Sequence, residues 1–286
     1  MGIDFHGLNL LRHAKRGGDF GRTITVGRQG VHVSEELIRR TLVASRPYSH
    51  SDYCEPLLEV FFGSSSVHSI DNSDYENATI IHDMNKPLPA EFFGQYDTVI
   101  DYGTSEHIFN ATQALLNYSL LCRPGGRIIH YLPANNLCGH GFWQFSPELS
   151  FSLYSGANGY SDTSVFLADL SNNRVWYKVK APRDGRRVNV WSHSPVYVLA
   201  MTTLAGGDFS HDRVQQSDYV YAWTGDAPKE EQSAAKQRVK NSPILYALAK
   251  PGYEIYLRQK ASLERSRERL SGANPGLEIV NLRALV

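Results

Sequence analysis

The amino-acid sequence predicts an α/β protein built on a doubly wound, mostly parallel sheet with helices on both faces. Three observations predict it. Short, nearly continuous apolar runs alternate with segments of helical spacing, the pattern of βαβ units whose strands are buried on both sides. Glycine and proline punctuate the chain between them, as at Pro124-Gly125-Gly126. The apolar runs end in polar residues, several of them carboxylates.

Each element has its own local reason. Within the N-terminal segment 1–20, residues 8–15 have the spacing of a short amphipathic helix. The segment has no continuous apolar h-region, so it does not read as a secretory signal. Residues 23–26 are β-prone and run into the turn Gly27-Arg28-Gln29-Gly30. Ser34 is placed to cap a helix carrying Leu37, Ile38 and Leu42, which Pro47 ends. A second helix is expected over 52–62, stopped by Gly63. Strands are expected at 67–71, 79–83, 96–101 and 127–132, with a helix over 108–122 that gathers Ala114, Leu115, Tyr118 and Leu121 on one side. Further strands are expected at 164–167, 174–180 and 196–203. Residues 1–225 thus read as the α/β domain. Residues 226–286 read as a helical C-terminal extension, with helix starting at Pro228-Lys229-Glu230 and continuing over 245–269, interrupted at Pro251-Gly252. The charged face of that extension reads as solvated, with a homodimer contact as the alternative.

Composition limits the partners. The chain has 286 residues, 42% hydrophobic and 20% charged, as ordinary globular proteins have. Lys plus Arg and Asp plus Glu both number 29, and no long basic run occurs, so nothing electrostatic points to nucleic acid. No apolar stretch approaches the roughly 20 residues that span a bilayer, so no membrane partner is expected. Cys54, Cys122 and Cys138 make neither a disulfide framework nor a CxxC pair, and a reducing cytoplasm is the expectation.

In an open parallel sheet, ligands bind beyond the carboxyl ends of the strands, where strand order reverses. Here those ends carry Gly27 to Gly30, then Asp71, then His82-Asp83, then the run Asp101-Tyr102-Gly103-Thr104-Ser105-Glu106-His107, then Pro133-Ala134-Asn135-Asn136. A nucleoside needs such a set: glycine to admit the backbone, a carboxylate for ribose hydroxyls, and a further polar group for the base. Each piece alone has an ordinary reading as a turn residue. Asp71-Asn72-Ser73-Asp74 is turn-prone, and Asp83 precedes Asn85 and Pro87.

Residues 93–133 resemble the fourth-to-fifth-strand unit of class I S-adenosylmethionine (SAM)-dependent methyltransferases. The matching pieces are the strand Tyr96-Asp97-Thr98-Val99-Ile100-Asp101, the loop ending Glu106-His107, the turn Leu121-Cys122-Arg123-Pro124-Gly125-Gly126, and Pro133-Ala134-Asn135 after the next strand. The segment from Gly139-His140-Gly141-Phe142-Trp143 to Ser146-Pro147-Glu148 looks like the small-molecule and sugar methyltransferase subgroup. The resemblance covers about residues 20–205. It implies a Rossmann-like sheet of seven strands, SAM as cofactor, and methyl transfer to a small-molecule or sugar acceptor, with oxygen as the expected target. It implies a cofactor-binding set of Gly27, Arg28, Gly30, Asp71, Asp83, Met84, Asp101 and Gly103. The first motif departs from the family: Thr25-Val26-Gly27-Arg28-Gln29-Gly30 lacks the acid and one glycine, leaving Arg28 as the candidate partner of the SAM carboxylate.

A hydroxyl acceptor must lose a proton, and histidine suits that work near neutral pH. His140 and His107, beyond the fifth and fourth strands, are the candidate catalytic bases; His130 and His82 read as packing residues. No H-x-x-x-H pair occurs, so no metal is expected. The weak first motif makes a non-catalytic scaffold the alternative function. A nicotinamide enzyme would want G-x-G-x-x-G, and a serine hydrolase G-x-S-x-G after a strand; neither is present. Tyr246 and Lys250 have Tyr-x-x-x-Lys spacing, but they lie in the C-terminal segment and read as coincidence.

Overall fold

The computed structural model describes residues 2–183, 185–207, 209–225 and 242–285. The helix expected to start at Pro228 lies outside them. In chain order the elements are β1 (Gly2–Ile3), α1 (Phe5–Lys15), β2 (Gly21–Val26), β3 (Gly30–Val31), α2 (Glu35–Thr41), α3 (Glu55–Phe62), β4 (Ser64–Asp71), β5 (Ile80–Ile81), β6 (Tyr96–Tyr102), α4 (Ala111–Leu121), β7 (Cys122–Asn135), α5 (Pro147–Leu153), β8 (Tyr160–Asp169), β9 (Val175–Val179), β10 (Val196–Leu204), α6 (Ser217–Trp223), α7 (Pro243–Arg267) and β11 (Leu277–Asn281).

One sheet carries the fold, in the order β11-β9-β8-β10-β7-β6-β2-β4-β5. The half from β5 to β7 is parallel throughout. Its order reverses at β2, which has β4 on one side and β6 on the other. The α/β, Rossmann-like class expected from the sequence is present, but the sheet is mixed and nine-stranded rather than mostly parallel and seven-stranded. The physical reason is the connections: β8 reaches β9 by a short turn with no helix to carry the chain back, so the pair is antiparallel, as are β10 with its two neighbours. The C-terminal extension is helical over Pro243–Arg267 but not throughout, and the helix runs on through Pro251 and Gly252 where the sequence predicted an interruption. The end of the extension adds β11 to the sheet, pairing Leu277 with Val179 and Asn281 with Val175.

Strand alternation sorts the core into two layers. Ile100, Tyr102, Ile129 and Tyr131 face α1 and α3; Val99 and Ile128 face the other way, against Ala114, Leu115, Tyr118 and Leu121 of α4. The helical stripe read from the sequence is therefore the packed face of α4. Helix α1 is more than a surface amphipathic helix: Leu8, Leu10 and Leu11 are fully buried, and the Tyr102 hydroxyl donates to the Gly7 carbonyl (3.0 Å). Asp4 caps it by accepting from the Gly7 N–H (2.8 Å), and Ser34 and Ser146 cap α2 and α5 as the sequence predicted. The third strand is shorter than expected: β5 is only Ile80–Ile81, because Asp83 already begins a turn. Cys54 and Cys122 are buried free thiols and Cys138 is an exposed one. Among the described residues, no helix is long and apolar enough to cross a membrane.

Candidate active site

The loop after β2 is spent on structure. Gly27 has φ +70°, and a Cβ there would fall 2.6 Å from the Thr104 hydroxyl oxygen, which itself donates to the Val26 carbonyl (2.7 Å). Only glycine fits that contact. Arg28 does not project over the sheet: Nε donates to Glu55 (2.7 Å), a second nitrogen donates to the Glu76 carbonyl (2.8 Å), and the guanidinium covers the Tyr53 ring. Gln29 is buried and donates to the Val26 carbonyl (2.7 Å). Gly30 belongs to β3, paired with Gly2 of β1.

The next two strand ends differ. Asp71, half-buried at the end of β4, accepts the Asn72 N–H (2.6 Å) and makes no ion pair among the described residues. Its carboxylate is available at the strand next to the reversal point. Asp83 accepts from the Asn85 backbone and side chain (3.0 and 2.8 Å) and sits 3.5 Å from the Lys86 ammonium. The hydrogen bonds to Asn85 hold its carboxyl below the usual range. Met84 is buried in the apolar layer under α4, its carbonyl near the Asn117 amide (3.3 Å).

Asp101, at the end of β6, is fully buried and fully engaged. One oxygen accepts from the N–H groups of Thr104 (3.0 Å) and Ser105 (3.4 Å). The other accepts from the Ser105 hydroxyl and lies 3.3 Å from His130 Nδ1, while His130 Nε2 is 2.5 Å from the Tyr154 hydroxyl. A carboxylate only accepts, so Nδ1 is the donor to Asp101, and Nε2 is left to accept the hydrogen bond of the Tyr154 hydroxyl. Asp101 is thus a buried brace, not an open ligand. His130 is the core histidine the sequence suggested, and His82 lies at a turn, near the Lys86 carbonyl (3.4 Å).

Five residues on, the situation reverses. Gly103 (φ +83°) leads into a helical turn, Ser105–His107, that presents Glu106 inward. Glu106 is fully buried, yet neither carboxylate oxygen has a hydrogen-bond partner. Burial, with Asp101 close by, pushes its carboxyl up to about 8. The two imidazoles singled out from the sequence converge on it. His140 Nε2 is 3.3 Å and His107 Nε2 3.9 Å from Glu106 Oε1, and the two rings stand 5.2 Å apart. Burial lowers the His107 pKa, with the His140 ring adding to it. His140 also faces a cleft of about 220 Å³ shared with Asp4, His32, Tyr102, Gly103 and Tyr197. Burial, then Glu106 and Asp4, pushes the Tyr197 hydroxyl up to about 12.

Of the residues predicted for the site, His107, His140 and Gly103 come together. Asp71 stands open at its strand end, while Arg28, Gly30, Asp83 and Asp101 are held in local structure. Sequence reasoning missed Glu106 as a site residue, and with it Asp4, His32 and Tyr197. Glu106 alone carried a signal, as an acid beside a histidine on a loop after a strand. For a nucleoside cofactor the fit is partial: Asp71 suits ribose hydroxyls, but the space beside Gly27 is filled by Thr104 and the guanidinium of Arg28 is already paired.

No protein-family model and no curated protein matches the chain. Among solved structures it is similar to a SAM-dependent methyltransferase of Thermotoga maritima (12% identity, TM-score 0.36, covering 70% of this chain and 90% of that one). It is also similar to a Burkholderia thailandensis 1,6-didemethyltoxoflavin-N1-methyltransferase with its substrate and S-adenosylhomocysteine bound (13% identity, TM-score 0.38, covering 71% and 78%). A third is the branched-chain polyamine synthase of Thermus thermophilus (14% identity, TM-score 0.35, covering 74% and 59%). All three overlap this chain loosely.

Proposed function

We propose that this chain is a SAM-dependent methyltransferase acting on a hydroxyl of a small molecule or sugar. The observation that carries the reading is the Glu106–His107–His140 cluster beyond the end of β6, with His140 lining a cleft beside Asp4, Tyr102 and Gly103; Asp71, which makes no ion pair among the described residues, stands at the end of β4. Asp71 would hold the ribose hydroxyls, with Gly103 allowing close approach of the backbone. The cofactor, when bound, would supply a methyl group already activated as a sulfonium. The chain's work is then alignment and proton removal. An acceptor hydroxyl in the cleft faces His140, and the proton it loses is taken up at an imidazole nitrogen of the cluster.

Calorimetry with SAM and S-adenosylhomocysteine tests this. Wild type should bind both, and Asp71→Ala should bind about 10- to 100-fold more weakly, since a hydrogen bond to a charged group contributes about 1.5–3 kcal/mol. A folded wild type that binds neither would end the reading. The ion pair of Arg28 with Glu55 favours a second one, a methyltransferase-like scaffold without cofactor, and that result would leave it standing.

A further inference from the structure

We infer that Glu106, His107 and His140 form a site for one divalent first-row transition-metal ion, best matched by Zn2+. Around a tetrahedral zinc with bonds of about 2.0–2.2 Å, donor atoms lie roughly 3.3 Å apart. Here Glu106 Oε1 lies 3.3 Å from His140 Nε2 and 3.9 Å from His107 Nε2, and one donor atom from each of the three falls within 4.8 Å of the others. Small rotations of two half-exposed rings close that set.

A second observation is independent of these distances. A fully buried carboxylate without a hydrogen bond on either oxygen is costly unless something else engages it. A cation between it and the two imidazoles supplies what the protein does not. The backbone also builds the site in advance. The Glu106 carbonyl accepts the N–H groups of Phe142 (2.6 Å) and Trp143 (3.3 Å), which fastens the His140 loop to the Ser105–His107 turn. Gly141 between them has φ +76°, and a Cβ there would meet the Glu106 carbonyl oxygen at 2.6 Å. The loop can come this close only with glycine.

The donor set gives the class of ion. Two imidazole nitrogens and one carboxylate suit zinc or iron(II) better than magnesium or calcium, which prefer all-oxygen shells. The histidine side chains are 43% and 40% exposed while Glu106 is 0%, so protein closes one side and an open position faces out. Three protein ligands with an open position is the arrangement of a reactive rather than a purely structural zinc. This deepens the proposed function and rests on it only for the consequence: in the loaded chain the ion would take over from the imidazole base, acidifying an acceptor hydroxyl at the open position whose proton leaves to water on the exposed side, while the imidazoles hold the ion.

The test uses the full chain, stripped with a chelator and then titrated with Zn2+ against a competing indicator. One Zn2+ per chain is expected in wild type. Glu106→Gln, His107→Ala and His140→Ala, each checked for folding by circular dichroism, should bind at least about 100-fold more weakly, beyond the 10- to 100-fold typical of losing a supporting residue. Co2+ should give visible d–d bands that His140→Ala abolishes. The two histidine side chains are 43% and 40% exposed, so their variants keep the test decisive should Glu106→Gln fail to fold. A folded wild type that retains no Zn2+, or variants that bind it as tightly as wild type, would overturn the site. SAM calorimetry on the stripped protein scores the methyltransferase reading separately, so either can fail alone.

Discussion

Two acids on one short stretch of chain, Asp101 and Glu106, are both fully buried, and the protein treats them in opposite ways. Asp101 receives two backbone N–H groups, a serine hydroxyl and an imidazole. Glu106 receives no hydrogen bond. A buried carboxylate is tolerated when its lone pairs are filled and costly when they are not. The first therefore reads as a brace that shapes the loop, and the second as a group held ready for something outside the protein.

The largest way to break that contrast is to remove the brace. Asp101→Ala leaves the N–H groups of Thr104 and Ser105, the Ser105 hydroxyl and His130 Nδ1 without their acceptor. It should cost about 3–5 kcal/mol, the range for deleting one member of a buried charged network. Urea denaturation checks this, and a loss under about 1 kcal/mol would mean that Asp101 is not the brace described. Next in size is the opposite change. Glu106→Gln in metal-free protein should raise stability by about 1–3 kcal/mol at neutral pH, because burial keeps this carboxyl from ionising in the folded state while the unfolded chain's ionises freely, an imbalance that the amide lacks. If the variant is instead less stable by a similar amount, Glu106 is as well satisfied as Asp101 and the contrast fails.

The contrast also explains what was legible in the sequence. The order of strands and helices was readable because each signal is local: the apolar run, the serine cap, the glycine or proline stop. The stripe Ala114, Leu115, Tyr118 and Leu121 proved to be a buried face for that reason. The antiparallel half was not readable, since β11 pairs with β9 across some hundred residues and pairing leaves no local mark. The site divides in the same way. His107 and His140 were picked out by residue type and position after strands. Asp101 looked like an open strand-end acid because its partners come from its own turn and from His130 on the adjacent strand. Arg28 looked like a free cation because Glu55 and Glu76 are distant in sequence. The burial of Glu106 depends on the His140 loop folding over it, which no spacing foretells.

A smaller change tests how far the brace extends. Tyr154→Phe removes the hydroxyl that satisfies His130 Nε2 and should cost about 1–2 kcal/mol by denaturation. Because His130 holds Asp101 rather than Glu106, zinc uptake in this variant should equal wild type. A parallel loss of metal would show that the two acids are coupled.

The smallest effect is a pH dependence that belongs to neither acid. His6 is buried beneath the sheet, with Nδ1 accepting from Trp176 Nε1 (3.0 Å) and Nε2 lacking a partner. Burial lowers its pKa, with Asp4 and Asp169 opposing. Burial likewise lowers that of His13, whose ring packs edge-on against Phe166. Both are held neutral in the native state, whereas in the unfolded chain they take up a proton near the ordinary value of about 6.5. Below that pH the unfolded state binds more protons, so stability falls as pH falls, by at most about 1.4 kcal/mol per unit for each group, until the lowered native pKa is passed. Urea midpoints measured from pH 7.5 down to about 5 should show the decline, and His6→Gln, which keeps an acceptor for Trp176, should reduce its slope. An unchanged slope in His6→Gln would place the acid sensitivity elsewhere, with His13 the next group to substitute.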